Sequence, residues 1–327
     1  MRIRILGCGW YGAHLAVALL NDGHEVEIHE SRDRIFDGAS GKIPARLHIG
    51  AHYPRSHQTR AACRRHTGEF MERYGHLTRG VPVNIYAIAK EHSLVDYDQY
   101  RATLRDEFQF IEIYDPLEYG LENVEGAILT PERHILADAA RTYFEHLLEG
   151  HIRLGVPAPQ GDAGHWDWTI DCTFCANSAA GVDRYEPCLV LLLEGPADRA
   201  VTIMDGPFGS LYPWDPERAL CSLSSARWTP FSKTLSTYED ARRMLDEMMP
   251  WVVQERGEEM IEQMRGFYPA IEEYKVVDEM LSIRAMPLSG ADTRLVRVDQ
   301  QGPRLLRVRA GKIDAVLDAE QMVRVFL

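Results

Sequence analysis

Long hydrophobic runs are absent from this chain of 327 residues. No stretch reaches the roughly 18 consecutive apolar residues that a membrane-spanning helix needs, so we expect no transmembrane segment. The N-terminus places Arg2 and Arg4 before apolar residues, as secretory signals do, but three glycines and His14 interrupt the apolar core. We therefore interpret the N-terminus as part of the mature protein.

Positive charge is also scarce, because 36 Lys and Arg residues stand against 49 Asp and Glu residues, and the formal net charge is −13. Binding to nucleic acid or to an anionic membrane needs a basic face, so neither partner is expected. A chain of this length buries a sizeable core and has room for two lobes. We expect a small-molecule substrate, and the oligomeric state stays open.

Cysteine is sparse as well. The spacing of Cys172 and Cys175 is the CxxC of a redox pair or of half a zinc site, but no second CxxC accompanies it. We therefore predict no metal site and expect free buried thiols in a reducing cytoplasm. The six cysteines are Cys8, Cys63, Cys172, Cys175, Cys188 and Cys221.

Glycine marks the clearest motif, GCGWYG, in which Gly7, Gly9 and Gly12 have GxGxxG spacing. Apolar residues at 3–6 predict a buried strand before it, a helical pattern follows it, and residues 26–28 predict a second strand. A strand, a glycine turn, a helix and a second strand within about thirty residues form the unit that binds dinucleotides.

Each residue of this motif has a physical role in such a site. Gly7 permits the tight turn, Gly9 lets the backbone approach a pyrophosphate, and Gly12 lets the helix pack near the strand. Glu30 lies 18 residues after Gly12, where its carboxylate accepts hydrogen bonds from ribose hydroxyls and repels the 2′-phosphate of NADP. The alternative is a glycine-rich turn that happens to precede an amphipathic helix. It is disfavoured because strand, helix, second strand and acid are all in place.

The remaining patterns predict two interleaved lobes. Helical patterns at 56–74 and 135–148, a short strand at 153–156 and a buried parallel strand at 168–173 extend the dinucleotide lobe. An antiparallel sheet is predicted from β-rich runs, with covering helices near 238–249 and 258–264. These runs are 83–89, 109–114, 188–193, 201–204, 209–214, 219–224 and 274–285.

The fold class predicted from this order is α/β with an α+β second lobe. Residues 1–80, 130–185 and 291–327 are assigned to a Rossmann-like domain, and residues 81–129 and 186–290 to an interleaved antiparallel-sheet substrate domain. Within the last segment, 304–309 predicts a strand, 310–312 a turn, and 313 onward a helix. The N–H groups at that helix start would face an electron-rich group.

Three blocks of the sequence resemble the FAD-dependent oxidoreductases of the D-amino-acid oxidase-like superfamily, which includes glycine oxidase and sarcosine oxidase. They are ILGCGWYGAHLAVALLNDGHEVEIHE, GASGKIPARLHIGAHYPRS and AGKIDAVLDAEQ. The second block is similar to a subgroup often associated with polysaccharide and specialised-metabolite pathways. The resemblance implies that the Rossmann-like domain binds FAD and that the enzyme acts in a biosynthetic pathway.

The resemblance also implies which residues contact FAD. The glycine motif and Glu30 would hold the ADP half, and residues 39–41 would approach the pyrophosphate and flavin. Residues 46, 48 and 49 would pass along the isoalloxazine ring, and backbone N–H groups of 311–313 would lie at its pyrimidine edge. The implied set is Gly7, Gly9, Gly12, Glu30, Ala39, Ser40, Gly41, Arg46, His48, Ile49, Val156, Thr173, Gly311, Lys312 and Ile313.

Two departures from the family pattern concern the flavin end of the site. Pro44 and Ala45 stand where the family usually has Asn-Gln, which removes two side-chain amides. The C-terminal turn has only Gly311 in place of a glycine-rich stretch. Both departures argue against an ordinary amino-acid oxidase activity.

Arg284, Tyr212, His48 and Tyr53 are the candidates for a catalytic role. Arg284 matches a family arginine that often pairs with a substrate carboxylate, or it forms an inter-lobe ion pair. Tyr212 either reaches the cavity or packs in the sheet. His48 is interpreted as a flavin contact rather than a base, and His52 and Tyr53 as caps of their loop.

The predicted activity is oxidation of a C–N or C–O bond of a small metabolite, with hydride transfer to flavin N5 of non-covalent FAD. Two alternatives stay open. One is a redox-neutral flavoenzyme, such as a mutase or cyclase that uses reduced FAD. The other is a flavoprotein that only stores or passes electrons.

Overall fold

A computed structural model describes residues 1–157, 165–177, 184–286 and 295–327. One six-stranded sheet combines strands from the N-terminal and C-terminal parts of the chain. With strands numbered along the chain, its order is β16 (Arg297–Gly302), β17 (Leu305–Arg309), β10 (Trp168–Asp171), β1 (Arg2–Leu6), β2 (Glu25–His29) and β9 (Ile152–Arg153).

The predicted strand–turn–helix–strand unit is confirmed. Strand β1 buries Ile3 and Ile5 completely and pairs in parallel with both β2 and β10. Helix α1 (Trp10–Asn21) follows the glycine turn and ends where Gly23 adopts a φ of 83°. The buried parallel strand predicted at 168–173 is β10, which lies between β1 and β17 and is parallel to both.

An eight-stranded sheet forms the second lobe. It is mixed rather than purely antiparallel, because β12 and β5 pair in parallel after a long excursion of the chain through the other lobe. Its order is β15 (Lys275–Met286), β11 (Arg184–Glu194), β14 (Leu220–Ser225), β13 (Gly209–Asp215), β12 (Arg199–Met204), β5 (Val83–Ala89), β7 (Val124–Leu129) and β6 (Ile111–Ile113).

The helices cover the two sheets through separate apolar cores. One core joins α1 to aromatic side chains such as Phe70 and Phe144, and another seats Met260 and Met264 against the eight-stranded sheet. No helix of the described ranges is long and apolar enough to cross a membrane. The other helices are α2 (Ala39–Lys42), α3 (His57–Tyr74), α4 (Tyr97–Arg105), α5 (Ala137–Leu147), α6 (Tyr238–Asp246), α7 (Pro250–Arg265) and α8 (Val316–Phe326).

A three-stranded sheet connects distant segments next to the site. Its order is β3 (Arg46–Leu47), β8 (Arg133–Ile135) and β4 (Thr78–Gly80), with antiparallel pairing throughout. Pairing of Arg46 with His134 brings the second motif block beside residues that lie more than eighty positions later in the chain.

Some predicted boundaries differ from the observed ones. The strand predicted at 153–156 is β9 (Ile152–Arg153), which ends early because Gly155 turns the chain with a φ of 69°. The helix predicted from Ile313 begins as a short 3-10 turn over Ile313–Ala315 and becomes α8 at Val316. The predicted division into domains stays a prediction, and its boundary at 290/291 lies outside the described residues.

Candidate active site

One cavity of about 1040 Å³ runs from the glycine turn to the eight-stranded sheet. Pockets for small ligands have volumes of roughly 300–1,000 Å³, so this cavity is large enough for an extended ligand. Its first part is lined by residues that directly follow β1, β2 and β10, at the carboxyl edge of the parallel strands. Open α/β sheets bind ligands at this edge.

Most of the predicted site residues line this cavity, and five do not. Those in the wall are Gly7, Gly9, Glu30, Ala39, Ser40, Arg46, His48, Tyr53, Thr173, Arg284, Gly311, Lys312 and Ile313. Within the described residues, Gly12, Gly41, Ile49, Val156 and Tyr212 are not part of the wall.

The glycine turn leaves room that side chains would fill. A Cβ atom on Gly12 would lie 1.9 Å from the carbonyl oxygen of Gly7, so helix α1 reaches β1 only with glycine at this position. Gly7 adopts a φ of 86°, which favours glycine. Gly9 is the N-cap of α1 and has no side-chain cap. Gly9, Trp10 and Tyr11 at the start of the helix line the cavity, and a helix N-terminus at this position suits a phosphate group.

Glu30 lies immediately after β2 and is 8% exposed. Its carboxylate accepts hydrogen bonds from the backbone N–H groups of Cys8 at 2.8 Å and Arg32 at 3.0 Å. These two bonds hold the carboxylate at the cavity wall. A carboxylate fixed at this position suits ribose hydroxyls, so the cradle fits the ADP half of FAD.

The second motif block closes the cradle from the other side. Ser40, in the short helix α2, accepts a hydrogen bond from the backbone N–H of Trp10 at 3.1 Å. Gly41 serves packing instead, because a Cβ atom there would lie 2.1 Å from the carbonyl oxygen of Phe36. Thr173, which follows β10, lines the cavity. Val156 donates its N–H to the carbonyl oxygen of Glu30 at 2.9 Å.

The C-terminal turn contributes Gly311, Lys312 and Ile313 to the wall. The ammonium of Lys312 lies 3.0 Å from Cys63 Sγ and 3.5 Å from an oxygen of Asp314. Burial lowers the pKa of Lys312, but Asp314 and Tyr53 outweigh that effect and raise the pKa above its ordinary value. Lys312 is therefore a fixed cation beside the cavity.

Arg46 turns its guanidinium toward the eight-stranded sheet. It donates hydrogen bonds to Thr202 Oγ1 at 3.2 Å and to Ser210 Oγ at 2.7 Å. The guanidinium also lies 4.1 Å from the centre of the Tyr212 ring. Tyr212 is 1% exposed and donates its hydroxyl to the carbonyl oxygen of Arg133. The structure thus places Tyr212 in the packed sheet beneath Arg46, as the alternative interpretation had it.

Arg284 lines the substrate end of the cavity and forms an ion pair. Its Nη2 atom lies 2.7 Å from Oε2 of Glu186, the residue directly opposite on the neighbouring strand. Arg184 approaches the other oxygen of the same carboxylate at 2.8 Å. This pairing lies within one sheet and not between lobes. Two arginines on one carboxylate leave net positive charge, so the ion pair does not remove the capacity of Arg284 to bind an anion.

His48 and Tyr53 line the cavity, and His52 packs behind them. The loop turns after Leu47 instead of staying extended, and the rings of His48 and His52 stack with centres 5.0 Å apart. These two histidines have His-x-x-x-His spacing, but the described residues include no group of three or more potential metal ligands.

Sequence analysis missed two residues of this cluster, Tyr86 and Glu132. Glu132 lies between β7 and β8, is 1% exposed, and is 3.3 Å from Nδ1 of His48. Tyr86 on β5 donates its hydroxyl to Glu132 at 2.6 Å. Burial raises the pKa of the Glu132 carboxyl above its ordinary value. The only local signal in the sequence was an acidic residue directly before the short strand β8.

The fold and the cradle define a protein of the dinucleotide-binding class. The chain is 34% identical to the FAD-dependent monooxygenase FPY4 of Fusarium mangiferae, over 98% of this chain and 89% of that protein. The chain therefore belongs to the same family of FAD-dependent oxidoreductases as that relative, and it is a flavin enzyme with FAD as cofactor.

Solved structures share the fold. Glycine oxidase from Geobacillus kaustophilus superposes with a TM-score of 0.70 and 14% identity, covering 99% of this chain and 94% of that one. L-proline dehydrogenase from P. horikoshii gives a TM-score of 0.69 and 13% identity, covering 98% and 91%. No model of a protein family matches the sequence.

Proposed function

We propose that this enzyme oxidises a C–N or C–O bond of a small metabolite in a biosynthetic pathway. The observation that carries the proposal is the single cavity that joins the dinucleotide cradle at Gly7 and Glu30 to Arg284 on the substrate sheet. Bound FAD supplies a hydride acceptor, the flavin N5 atom. A substrate held between the two sheets would therefore lie beside the group that oxidises it.

The side chains at the substrate end would bind and orient the metabolite. Arg284 presents a planar guanidinium that suits a carboxylate or another anionic group. Ser282, on the same strand, has a buried hydroxyl with no partner among the described residues, and it also lines the cavity. Both groups favour a small polar substrate, and a fixed orientation of the reacting carbon lowers the barrier.

The C-terminal turn would stabilise the flavin when it becomes electron-rich. Gly311, Lys312 and Ile313 form part of the same wall, and their backbone N–H groups and the Lys312 cation would lie beside the flavin. Fixed donors and positive charge favour a developing negative charge in a site that excludes water. The charge of Lys312 is retained over the working pH range because its pKa is raised.

Monooxygenation is the second candidate, because the relative with 34% identity is named a monooxygenase. That reaction inserts one atom of O2 into the substrate and reduces the other to water with two electrons from a donor such as a reduced nicotinamide, whereas an oxidase or dehydrogenase removes only hydride and a proton from its substrate. The two candidates therefore differ in the fate of oxygen, and the same cavity would serve either.

The experiment that tests the proposal mixes FAD-loaded enzyme with matched amines and alcohols in the absence of oxygen. Glycine with glycolate, alanine with lactate, and proline form a first panel. Loss of the oxidised-flavin absorbance supports the proposed oxidation. In a separate incubation under labelled O2 with a reduced nicotinamide as electron donor, incorporation of labelled oxygen into a product would instead establish monooxygenation. Anaerobic turnover that requires dithionite without net oxidation would establish a redox-neutral reaction.

A further inference from the structure

Three buried or nearly buried side chains meet beside the cavity and form one hydrogen-bonded group, defined here as the Tyr86–Glu132–His48 triad. Tyr86 donates to Oε2 of Glu132 at 2.6 Å, and the same oxygen lies 3.3 Å from Nδ1 of His48. The other carboxylate oxygen accepts the backbone N–H of Ile49 at 3.2 Å. Tyr86 and Glu132 are 0% and 1% exposed, and His48 is 7% exposed.

The triad orients the imidazole of His48. The Nδ1 edge faces the carboxylate and the Tyr86 hydroxyl, so Nε2 lies on the opposite edge of a ring that lines the cavity. A carboxylate next to Nδ1 favours the tautomer with the proton on Nδ1, which leaves a lone pair at Nε2. Hydrogen bonds from Tyr86 and Ile49 fix the carboxylate in turn.

Packing alone does not explain the triad. Burying a carboxylate costs several kcal/mol, and an apolar residue would fill the space beneath β8 at lower cost. The first contribution to the Glu132 pKa is burial, which raises it, while Tyr86 and His52 oppose the rise. Burial also lowers the pKa of His52 well below its ordinary value, so His52 remains a neutral ring against His48.

We propose that His48 accepts the proton of a substrate hydroxyl and that Glu132 is its positioning residue. The proposal rests on the proposed oxidation and narrows it to a C–O bond. In that step the substrate O–H bond and the neighbouring C–H bond break. The proton passes to Nε2 of His48, the hydride takes both electrons to FAD, and the electron pair left by the O–H bond completes the carbonyl. The proton then leaves His48 for solvent.

Oxidation of a hydroxyl group requires a base that accepts the hydroxyl proton. The hydroxyl proton is weakly acidic, and a positioned base speeds such transfers by roughly 10²–10⁴-fold. Other groups near His48 do not replace it. Tyr53 and Arg46 line the same wall, but the arginine is always protonated and the phenol is a weak base at neutral pH.

The decisive variant is Glu132→Gln. The N–H of Ile49 donates to one carboxylate oxygen of Glu132. In the variant the amide oxygen would accept that hydrogen bond, so the amide nitrogen would lie near His48. It would donate to Nδ1 of His48 and force the ring proton onto Nε2. The lone pair would then face the protein and not the cavity.

Two measurements test the proposal on FAD-loaded enzyme. The first is proton–nitrogen NMR of labelled histidine, with His48→Asn to assign the signal. We expect Nδ1–H in the wild type and Nε2–H in Glu132→Gln. The second is anaerobic flavin reduction by glycolate and lactate against glycine and alanine, expressed per bound flavin. We expect reduction by the hydroxy acids, lowered at least tenfold in Glu132→Gln and about 10²-fold or more in His48→Asn.

Asp318→Asn is the matched control. Asp318 contacts Nε2 of His66 at 2.9 Å in a comparable histidine–carboxylate pair, and neither residue lines the cavity. This variant should change the His66 signal and leave flavin reduction as in the wild type. If Glu132→Gln loses FAD, Tyr86→Phe replaces it as the test variant, because it removes one hydrogen bond of the triad and keeps the carboxylate. We expect a smaller loss of the flavin-reduction rate in this variant.

Four outcomes would overturn the proposal. One is an unchanged His48 tautomer in Glu132→Gln, and another is a reduction rate no lower than that of Asp318→Asn. The third is flavin reduction by the amino acids alone, which would leave the proposed oxidation intact and refute the hydroxyl substrate. Reduction by neither class in the wild type would refute the proposed oxidation itself, and the role of His48 with it.

Discussion

Tyr11 donates its hydroxyl to the carbonyl oxygen of Lys312 at 2.5 Å, which joins the first turn of α1 to a residue 301 positions later. The bond ties the dinucleotide cradle to the C-terminal turn that lines the same cavity. Helix α8 follows this turn and buries Val316, Ala319 and Val323 completely. Removing the segment would therefore damage the core, and point substitutions probe the turn more cleanly.

Replacing Tyr11 with Phe should weaken FAD binding by about five- to tenfold. The variant loses one hydrogen bond, worth roughly 1 kcal/mol, and the Lys312 backbone is held less firmly. Fluorescence of released flavin in a dilution series measures the change. Tyr74→Phe is the control, because Tyr74 bonds His14 at 2.6 Å and does not line the cavity. Equal effects of the two variants would show that only general stability is involved.

Replacing Glu30 with Gln should lower FAD affinity by about ten- to a hundredfold. Hydrogen bonds to a charged group contribute roughly 1.5–3 kcal/mol, and the amide offers only one acceptor to Cys8, Arg32 and the ribose. Flavin content after dialysis gives the result. Glu25→Gln, at the start of the strand that precedes Glu30, is the control, because the Glu25 side chain is 65% exposed and pairs with Arg2. Unchanged flavin content in Glu30→Gln would show that the Glu30 carboxylate does not contribute to FAD binding.

Local patterns in the sequence were sufficient to predict the shape of the dinucleotide cradle. The turn at Gly7, the approach of α1 at Gly12, and the acid at Glu30 all depend on neighbours in one strand–helix–strand unit, where spacing fixes geometry. The observed fold, a mixed α/β arrangement of parallel and antiparallel sheets, also agrees with the prediction.

The substrate end depends on contacts that spacing does not encode. Glu186 meets Arg284 because β11 and β15 pair 98 residues apart, and Glu132 meets His48 only through the pairing of β3 with β8. Cross-strand register is set by the whole sheet and not by a local motif. For the same reason the parallel pairing of β12 with β5 was not predicted.

Glu107 should stabilise the fold in a pH-dependent manner. Hydrogen bonds from Arg60 lower the pKa of its carboxyl below 4.5, burial opposes this, and Arg64 lowers it further. Because the folded pKa is depressed, the contribution is complete above about pH 4.5 and is lost as the pH falls through the lower folded value. Glu107→Gln should therefore reduce the unfolding free energy by about 2 kcal/mol at pH 7 and by far less near pH 3. Urea unfolding at both pH values measures the difference, and an equal loss at both would contradict it.

Arg284→Lys tests whether the guanidinium at the substrate end binds substrate. Lysine keeps the charge but loses the planar pair of donors, so a carboxylate would be held by a point charge and the reacting carbon would lose its alignment. Charged hydrogen bonds contribute roughly 1.5–3 kcal/mol each. The kcat/KM with a carboxylate substrate should therefore fall at least tenfold, while FAD content and Tm stay near those of the wild type.

Arg184→Lys is the matched control for that variant, because Arg184 pairs with the same Glu186 carboxylate but does not line the cavity. If Arg284 binds substrate, only Arg284→Lys loses kcat/KM, and the loss disappears with a substrate analogue that lacks the carboxylate. If the ion pair is structural, both substitutions weaken the contact with a buried carboxylate and lower Tm by similar amounts, with equal activity per bound flavin. The second pattern would leave a carboxylate-bearing substrate without support and would favour a neutral one.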